Sequence, residues 1–136
     1  MKNRARRLDK DAAALLLFLA ARGYASRRSA QAEVGIYLVS NSVLRRLKRT
    51  YLSIDAPTVD VLAFPEPRAF PHPETERQVL GEVLLNKDLA ANRQTALRLL
   101  IHGCLHLLGY RHVRKRDRME MNKIEKEAYR ALARPQ

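Results

Sequence analysis

The segment His102-Gly-Cys-Leu-His106-Leu-Leu-Gly109-Tyr-Arg-His112 gathers three of the chain's four histidines into eleven residues, and no other stretch constrains the fold as much. Apolar residues recur with a helical period from Thr95 to Leu108, so His102 and His106 stand four apart on one helix face, roughly 6 Å apart along the axis. Continuing that helix would carry His112 about 15 Å from His102. The helix must therefore stop, and Gly109 is the residue type that most easily takes the left-handed conformation closing a helix. A chain that folds back there brings His112 to the pair and builds a three-histidine site with an open position, the pattern of catalytic rather than structural zinc. His72, between Pro71 and Pro73, reads as a solvent-exposed bystander.

The spacing H-x-x-x-H-x-x-G-x-x-H is that of the metzincin proteases, in which a glutamate directly after the first histidine serves as base. Gly103 occupies that position here, which disfavours peptide hydrolysis by that route. Cys104, the only cysteine, lies two residues from His102, about 200° around a helix, and is expected to face the core rather than the metal. A single cysteine forms no intramolecular disulfide and suits a reducing cytoplasm.

These residues resemble the signature H-G-x-L-H-L-x-G-Y-D-H of the YbeY metal-dependent endoribonucleases, which take part in maturation of bacterial ribosomal RNA, and depart from it only at Arg111. Asp60-Val-Leu-Ala-Phe-Pro65 is similar to the family's D-V-L-S-F-P strand and Gly81-Glu-Val-Leu-Leu-Asn86 to its G-D-I-x-I-x strand, in the family's order. The resemblance runs from about Glu33 to Leu132. It implies one metal ion, zinc first, held by His102, His106 and His112, although three-histidine sites also accept nickel, cobalt or copper. It implies RNA as the partner, ribosomal RNA foremost, with the ribosome or a ribosome-associated protein as a source of specificity.

Three departures bear on that expectation. Arg111 replaces the family's Asp and removes a carboxylate that would orient a ligand or accept a proton. The family's Arg after a Tyr in the loop before D-V-L-S-F-P is implicated in RNA cleavage, but Tyr51 is followed by Leu52, and if the alignment is shifted the position of that Arg falls on Ser53. Val59 is an extra residue in the same loop. Arg46 and Arg49, one or two turns upstream, are the candidates to replace the missing guanidinium, with Arg111 as the third candidate for stabilising charge on a pentacoordinate phosphorus. Asp60 and Glu82 are the acidic residues in motif positions and read as structural.

The net charge of +12 and pI near 10.6 come from clusters at Arg4 to Arg7, Arg22 to Arg28, Arg45 to Arg49 and Arg111 to Arg118. Arginine forks grip phosphate in pairs of hydrogen bonds. With three Phe, five Tyr and no Trp, stacking platforms are few, so backbone and shape recognition are expected over sequence reading.

At 136 residues with 46% hydrophobic content, the chain is expected to form one domain, residues 1–136, around an ordinary core. Met1 to Ala21 has a basic start and an apolar stretch from Ala12 to Ala21, but Asp9 or Asp11 suits a helix cap and ten apolar residues do not span a bilayer, so a packed helix running to Gly23 is preferred to an export signal. Strands are expected at Glu33 to Val39, Val59 to Phe64 and Val79 to Leu85, the last two paired across the rigid Pro65–Pro73 loop. Ser40, Asn41 or Ser42 caps a helix to Tyr51, and a last helix from Asp117 to Ala133 presents Met121, Ile124, Ala128 and Leu132 on one face. The histidine helix, polar over little of its circumference, must be buried against the sheet. The fold class is thus α+β, a small mixed sheet flanked by helices with the metal site on a central buried helix, in a cytoplasmic protein without a membrane span. The leading function is a zinc-dependent endoribonuclease of ribosomal RNA maturation. Its rivals are a non-catalytic RNA-binding assembly factor and, behind it, a metallohydrolase with another substrate.

Overall fold

The computed structural model describes residues 2–67 and 71–133, with side chains from Arg6 onward. The side chain of Arg4 in the first basic cluster is thus not described, and residues 68–70 of the Pro65–Pro73 loop lie outside the described residues.

Four helices, α1 (Lys2–Ala21), α2 (Asn41–Leu52), α3 (Arg93–Leu107) and α4 (Lys115–Leu132), surround three strands, β1 (Glu33–Val39), β2 (Val61–Pro65) and β3 (Val79–Asn86). The sheet order is β1-β3-β2, with β1 parallel and β2 antiparallel to β3. The sheet is therefore mixed, and β2 and β3 pair across the proline-containing loop as their alternation predicts.

The central strand explains the layering. Val83 and Leu85 point into a core shared with α1, α3 and α4, whereas Leu84 points the other way, into a smaller cluster with Leu44 of α2, Val59 and Leu62. The main core holds Leu8, Leu15, Leu16 and Leu19 of α1, Leu97, Leu100, Ile101 and Leu105 of α3, and Met121 and Ile124 of α4. A strand covered on both faces reads as a nearly unbroken apolar run, as Val79 to Leu85 does.

Two glycines make the close approaches possible. Gly81 has φ +139°, and a Cβ there would stand 2.2 Å from the Phe64 carbonyl oxygen on β2. Gly103 of α3 faces the sheet, where a Cβ would lie 2.7 Å from Val83 Cγ1.

Several boundaries differ from the sequence reading. Helix α1 begins at Lys2 rather than at a cap on Asp9 or Asp11, because Leu8 is already buried in the core and the preceding residues are good helix formers. Asp11 serves tertiary structure instead, accepting both Arg93 guanidinium nitrogens at the start of α3. Val59 precedes β2, buried in the smaller cluster, with its N–H donated to Asn41 Oδ1 at 2.9 Å. Short 3₁₀ turns at Arg28–Gln31 and Leu89–Ala91 occupy stretches without a periodic signal. Ser40 is the cap of α2, its Oγ accepting from Val43 N at 3.3 Å. Among the described residues no helix is long and apolar enough to cross a membrane.

Candidate metal centre

Helix α3 delivers two of the three histidines and then stops where the chain needs it to stop. Asn92 caps its start, the side chain accepting from Thr95 N at 3.0 Å. At the other end Gly109 takes φ +102°, Gly109 N donates to His106 O at 3.0 Å and Tyr110 N to Leu105 O at 3.0 Å. This is the paired closure of a Schellman motif, which turns the chain sharply. The Tyr110 hydroxyl then donates to Tyr24 O at 2.7 Å, tying the turn to the end of α1.

The turn brings His112 back. One ligand atom from each of His102, His106 and His112 lies within 4.8 Å of the others. The ring centroids are 4.5, 5.5 and 4.9 Å apart, with His102 and His106 half-buried and His112 exposed.

The outer ring nitrogens decide what the inner ones can do. His102 Nδ1 is 3.0 Å from Glu125 Oε2 on α4, and His106 Nδ1 is 2.9 Å from the Tyr110 carbonyl oxygen. A carbonyl and a carboxylate only accept, so these partners assign the N–H to both Nδ1 positions in the neutral rings. Both Nε2 atoms then turn lone pairs toward each other at 3.0 Å. Two lone pairs at that distance repel unless a proton or a metal ion lies between them. Donors about 2.0–2.1 Å from one tetrahedral ion stand roughly 3.3 Å apart, so the donor set fits a metal such as zinc. Burial first, and then the neighbouring His102, push the His106 pKa below its ordinary value, which keeps that ring neutral and able to bind metal.

Other residues take places that the sequence alone did not reveal. Gly103 lies against Val83, so its position relative to the metzincin base is a packing position directed into the sheet. Cys104 is fully buried, and desolvation pushes its thiol up to about 12, as its angular position on the helix predicts. His72 is not a solvent-exposed bystander: its side chain is half-buried, Nδ1 sits 2.8 Å from Glu74 and Nε2 3.1 Å from Glu66. Those two carboxylates, Glu74 foremost, raise its pKa.

The structure brings together the three histidines, with Arg111 beside them in the turn, exposed. It does not bring Arg46 or Arg49 to them. Helix α2 covers the sheet face opposite α3, and Arg49, with Arg45, reaches Asp55 at 3.4 Å. Leu52 ends α2 and Ser53 closes it at φ 56°, both exposed. Asp60 is exposed, and Glu82 alternates with Val83 and so faces the α2 side. Glu125 is the site residue that motif reading missed. Its signal was its place beside Ile124, at the border of the buried stripe of α4.

Fold and cluster together define a small α+β protein with a three-histidine candidate metal centre, two of whose histidines stand on α3. A sequence model of the endoribonuclease YbeY family matches residues 2–133. The chain is 39% identical over 139 residues to the endoribonuclease YbeY of Anaeromyxobacter sp. (strain Fw109-5), covering 96% of this chain and 66% of that protein. It is 37% identical over 113 residues to that of Roseiflexus sp. (strain RS-1), covering 74% and 70%, and 36% over 120 residues to that of Pelotomaculum thermopropionicum, covering 80% and 75%. It thus spans about two thirds to three quarters of the length of these relatives. The chain belongs to the YbeY endoribonuclease family.

Proposed function

We propose that this protein is a zinc-dependent endoribonuclease acting on ribosomal RNA during its maturation, in the cytoplasm and in contact with the ribosome or a ribosome-associated protein. The observation that carries the reading is the pair of opposed Nε2 lone pairs at 3.0 Å, with the ring of His112 beside them. His102, His106 and His112 would hold the ion. When bound, it supplies Lewis acidity toward a phosphodiester and toward water, with three neutral ligands leaving its charge uncancelled.

The chain's own residues do the rest. Glu125 and the Tyr110 carbonyl hold two imidazoles in one tautomer and one orientation. Arg111, exposed beside His112, is the guanidinium best situated to stabilise negative charge accumulating on phosphate oxygens. Arg46 and Arg49, across the sheet, are weaker candidates for that role. The net charge of +12 favours a polyanionic substrate over a peptide.

The test is cleavage of a structured ribosomal RNA fragment by purified protein of measured metal content, beside His106→Ala and a chelated sample. Products in the wild type that vanish in both controls are expected. A metal-loaded protein that binds the RNA without cutting it moves the reading to a non-catalytic assembly factor, the role that Leu52 and Arg111 in place of family residues would favour.

A further inference from the structure

We propose that Arg111, Arg114, Lys115 and Arg116 form the surface that grips the substrate strand by its phosphates beside the histidine cluster. This deepens the ribonuclease reading and rests on it. All four side chains are exposed. Among the described residues none has a carboxylate within ion-pair distance, whereas Arg22 is paired with Glu127, Arg45 and Arg49 share Asp55, and Arg93 is locked to Asp11. Arg98 lies over the Tyr129 ring at 3.9 Å. Those bases hold the fold, whereas the four around the third histidine do not, and unlike other bases without an ion pair among the described residues, such as Arg27, Arg46 or Lys87, they stand beside the histidine cluster.

Their placement runs against local stability. Helix α4 opens with Lys115, Arg116 and Arg118 and has Asp117 as the acidic residue of its first turn, and Arg114 at its cap position makes no side-chain capping bond. Cations at a helix start oppose the positive end of the helix dipole. Arg118 reaches back to Val113 O at 3.1 Å, fixing the turn, and Arg111 and Arg114 flank His112 on either side. A run of unneutralised positive charge held next to the candidate metal centre, at a cost to its own helix, is complementary to a chain of negative charges passing over that centre.

The chemistry favours a nucleic-acid backbone. No Phe, Tyr or Trp occurs between Arg111 and Glu120, and the one ring there, His112, belongs to the histidine cluster, so the surface reads charge and not bases. The apolar residues Met121, Ile124 and Ala128 of α4 are buried in the core, which leaves Val113 and Met119 as separate exposed apolar side chains among the bases rather than an apolar helix face for a bilayer.

The test uses the full chain and an uncleavable 2′-O-methyl oligoribonucleotide, with binding followed by fluorescence anisotropy over a salt series. The variant Arg114→Gln/Lys115→Gln/Arg116→Gln is compared with Lys10→Gln/Lys87→Gln/Arg130→Gln, which removes the same charge from exposed scattered positions. Each lost phosphate contact on a single strand lowers the salt slope by about 0.7. The patch variant is expected to lose about 2 from the slope and roughly tenfold or more in affinity at low salt, with metal content unchanged, while the scattered variant keeps the wild-type slope. Equal losses in both variants would overturn the proposal in favour of diffuse charge. An unchanged RNA slope in the patch variant would also overturn it, whether or not that variant loses binding to anionic phosphatidylserine vesicles, and metal-dependent cleavage by the wild type would then leave the ribonuclease reading standing. A wild type that neither binds nor cuts RNA sinks the ribonuclease reading, and this one with it.

Discussion

Glu125 matters because it accepts from the ring nitrogen of His102 that faces away from the other histidines. With Nδ1 of His102 donating to it at 3.0 Å, the imidazole is held with Nε2 directed at His106. Loss of such an outer partner costs about 10–100-fold in metal affinity. Glu125→Ala is expected to show that loss in competition with a chromogenic chelator, whereas Glu125→Gln, which keeps an accepting oxygen, retains most of the affinity; an Ala variant binding zinc like the wild type would refute the role. The histidines also separate by pH. In an NMR titration of the metal-free protein, His72 is expected to titrate above 6.5, raised chiefly by Glu74, and His106 below it, lowered chiefly by burial. Because the folded pKa of His72 is raised, its link to Glu66 and Glu74 stabilises fully below the unfolded value near 6.5 and is lost as pH rises through the folded one. Coincident midpoints for the two rings would contradict both environments. The cluster of three histidines was legible in sequence because they sit within eleven residues. Glu125 was not, because it arrives from 23 residues along the chain on another helix.

At the scale of elements, two glycines four and ten residues after Leu99 have opposite logics. Gly109 is needed for its backbone: φ is +102°, and a Cβ there would meet nothing within 4 Å. Gly109→Ala is therefore expected to cost about 1–2 kcal/mol from conformation alone, seen in urea unfolding, and to weaken metal binding by loosening the return of His112. Gly103 is needed for its missing side chain, since a Cβ would press on Val83 Cγ1 at 2.7 Å. Overpacking of that kind costs about 1–3 kcal/mol, and Gly103→Ala should recover stability when combined with Val83→Ala; strictly additive losses would deny the contact. The helix stop was readable because a glycine after the last periodic residue has one strong meaning. The packing role was not, because spacing compares Gly103 with a protease base and says nothing of the strand opposite. Strands β1 and β3 emerged with nearly the expected ends because β-branched and apolar runs are bounded by polar turns. The start of α1 did not, because Asp9 and Asp11 look like caps until Arg93 is found beside Asp11.

Over the whole molecule, the order β1-β3-β2 decides which residues can share a site. Arg49 sits on α2, over the sheet face that the histidines do not share, although the strand that follows it, β2, turns Val61 and Ala63 toward the core that α3 shares. Sequence proximity could not reveal this, because the face of each residue depends on a parallel pairing between β1 and β3 that spans α2 and β2. The same topology makes the histidine cluster a junction: α3 supplies two of its histidines, the turn after it supplies the third, and α4 supplies Glu125. An ion bound there would add to the links among these three segments, which are the apolar core, the contact of His102 with Glu125, the bond of Arg118 to Val113 O and Arg98 over the Tyr129 ring. Metal should therefore stabilise the native state by mass action, by about 2.7 kcal/mol at free zinc 100 times the dissociation constant. Thermal unfolding of the metal-free chain is expected to shift upward by several degrees on adding zinc and to return on chelation. His112→Ala should keep the metal-free midpoint, its side chain being exposed, and lose most of the shift. A wild-type midpoint indifferent to zinc would mean that the opposed nitrogens are not a metal site, whereas a full shift in His112→Ala would mean that the ion is held by the helix pair without the returning loop.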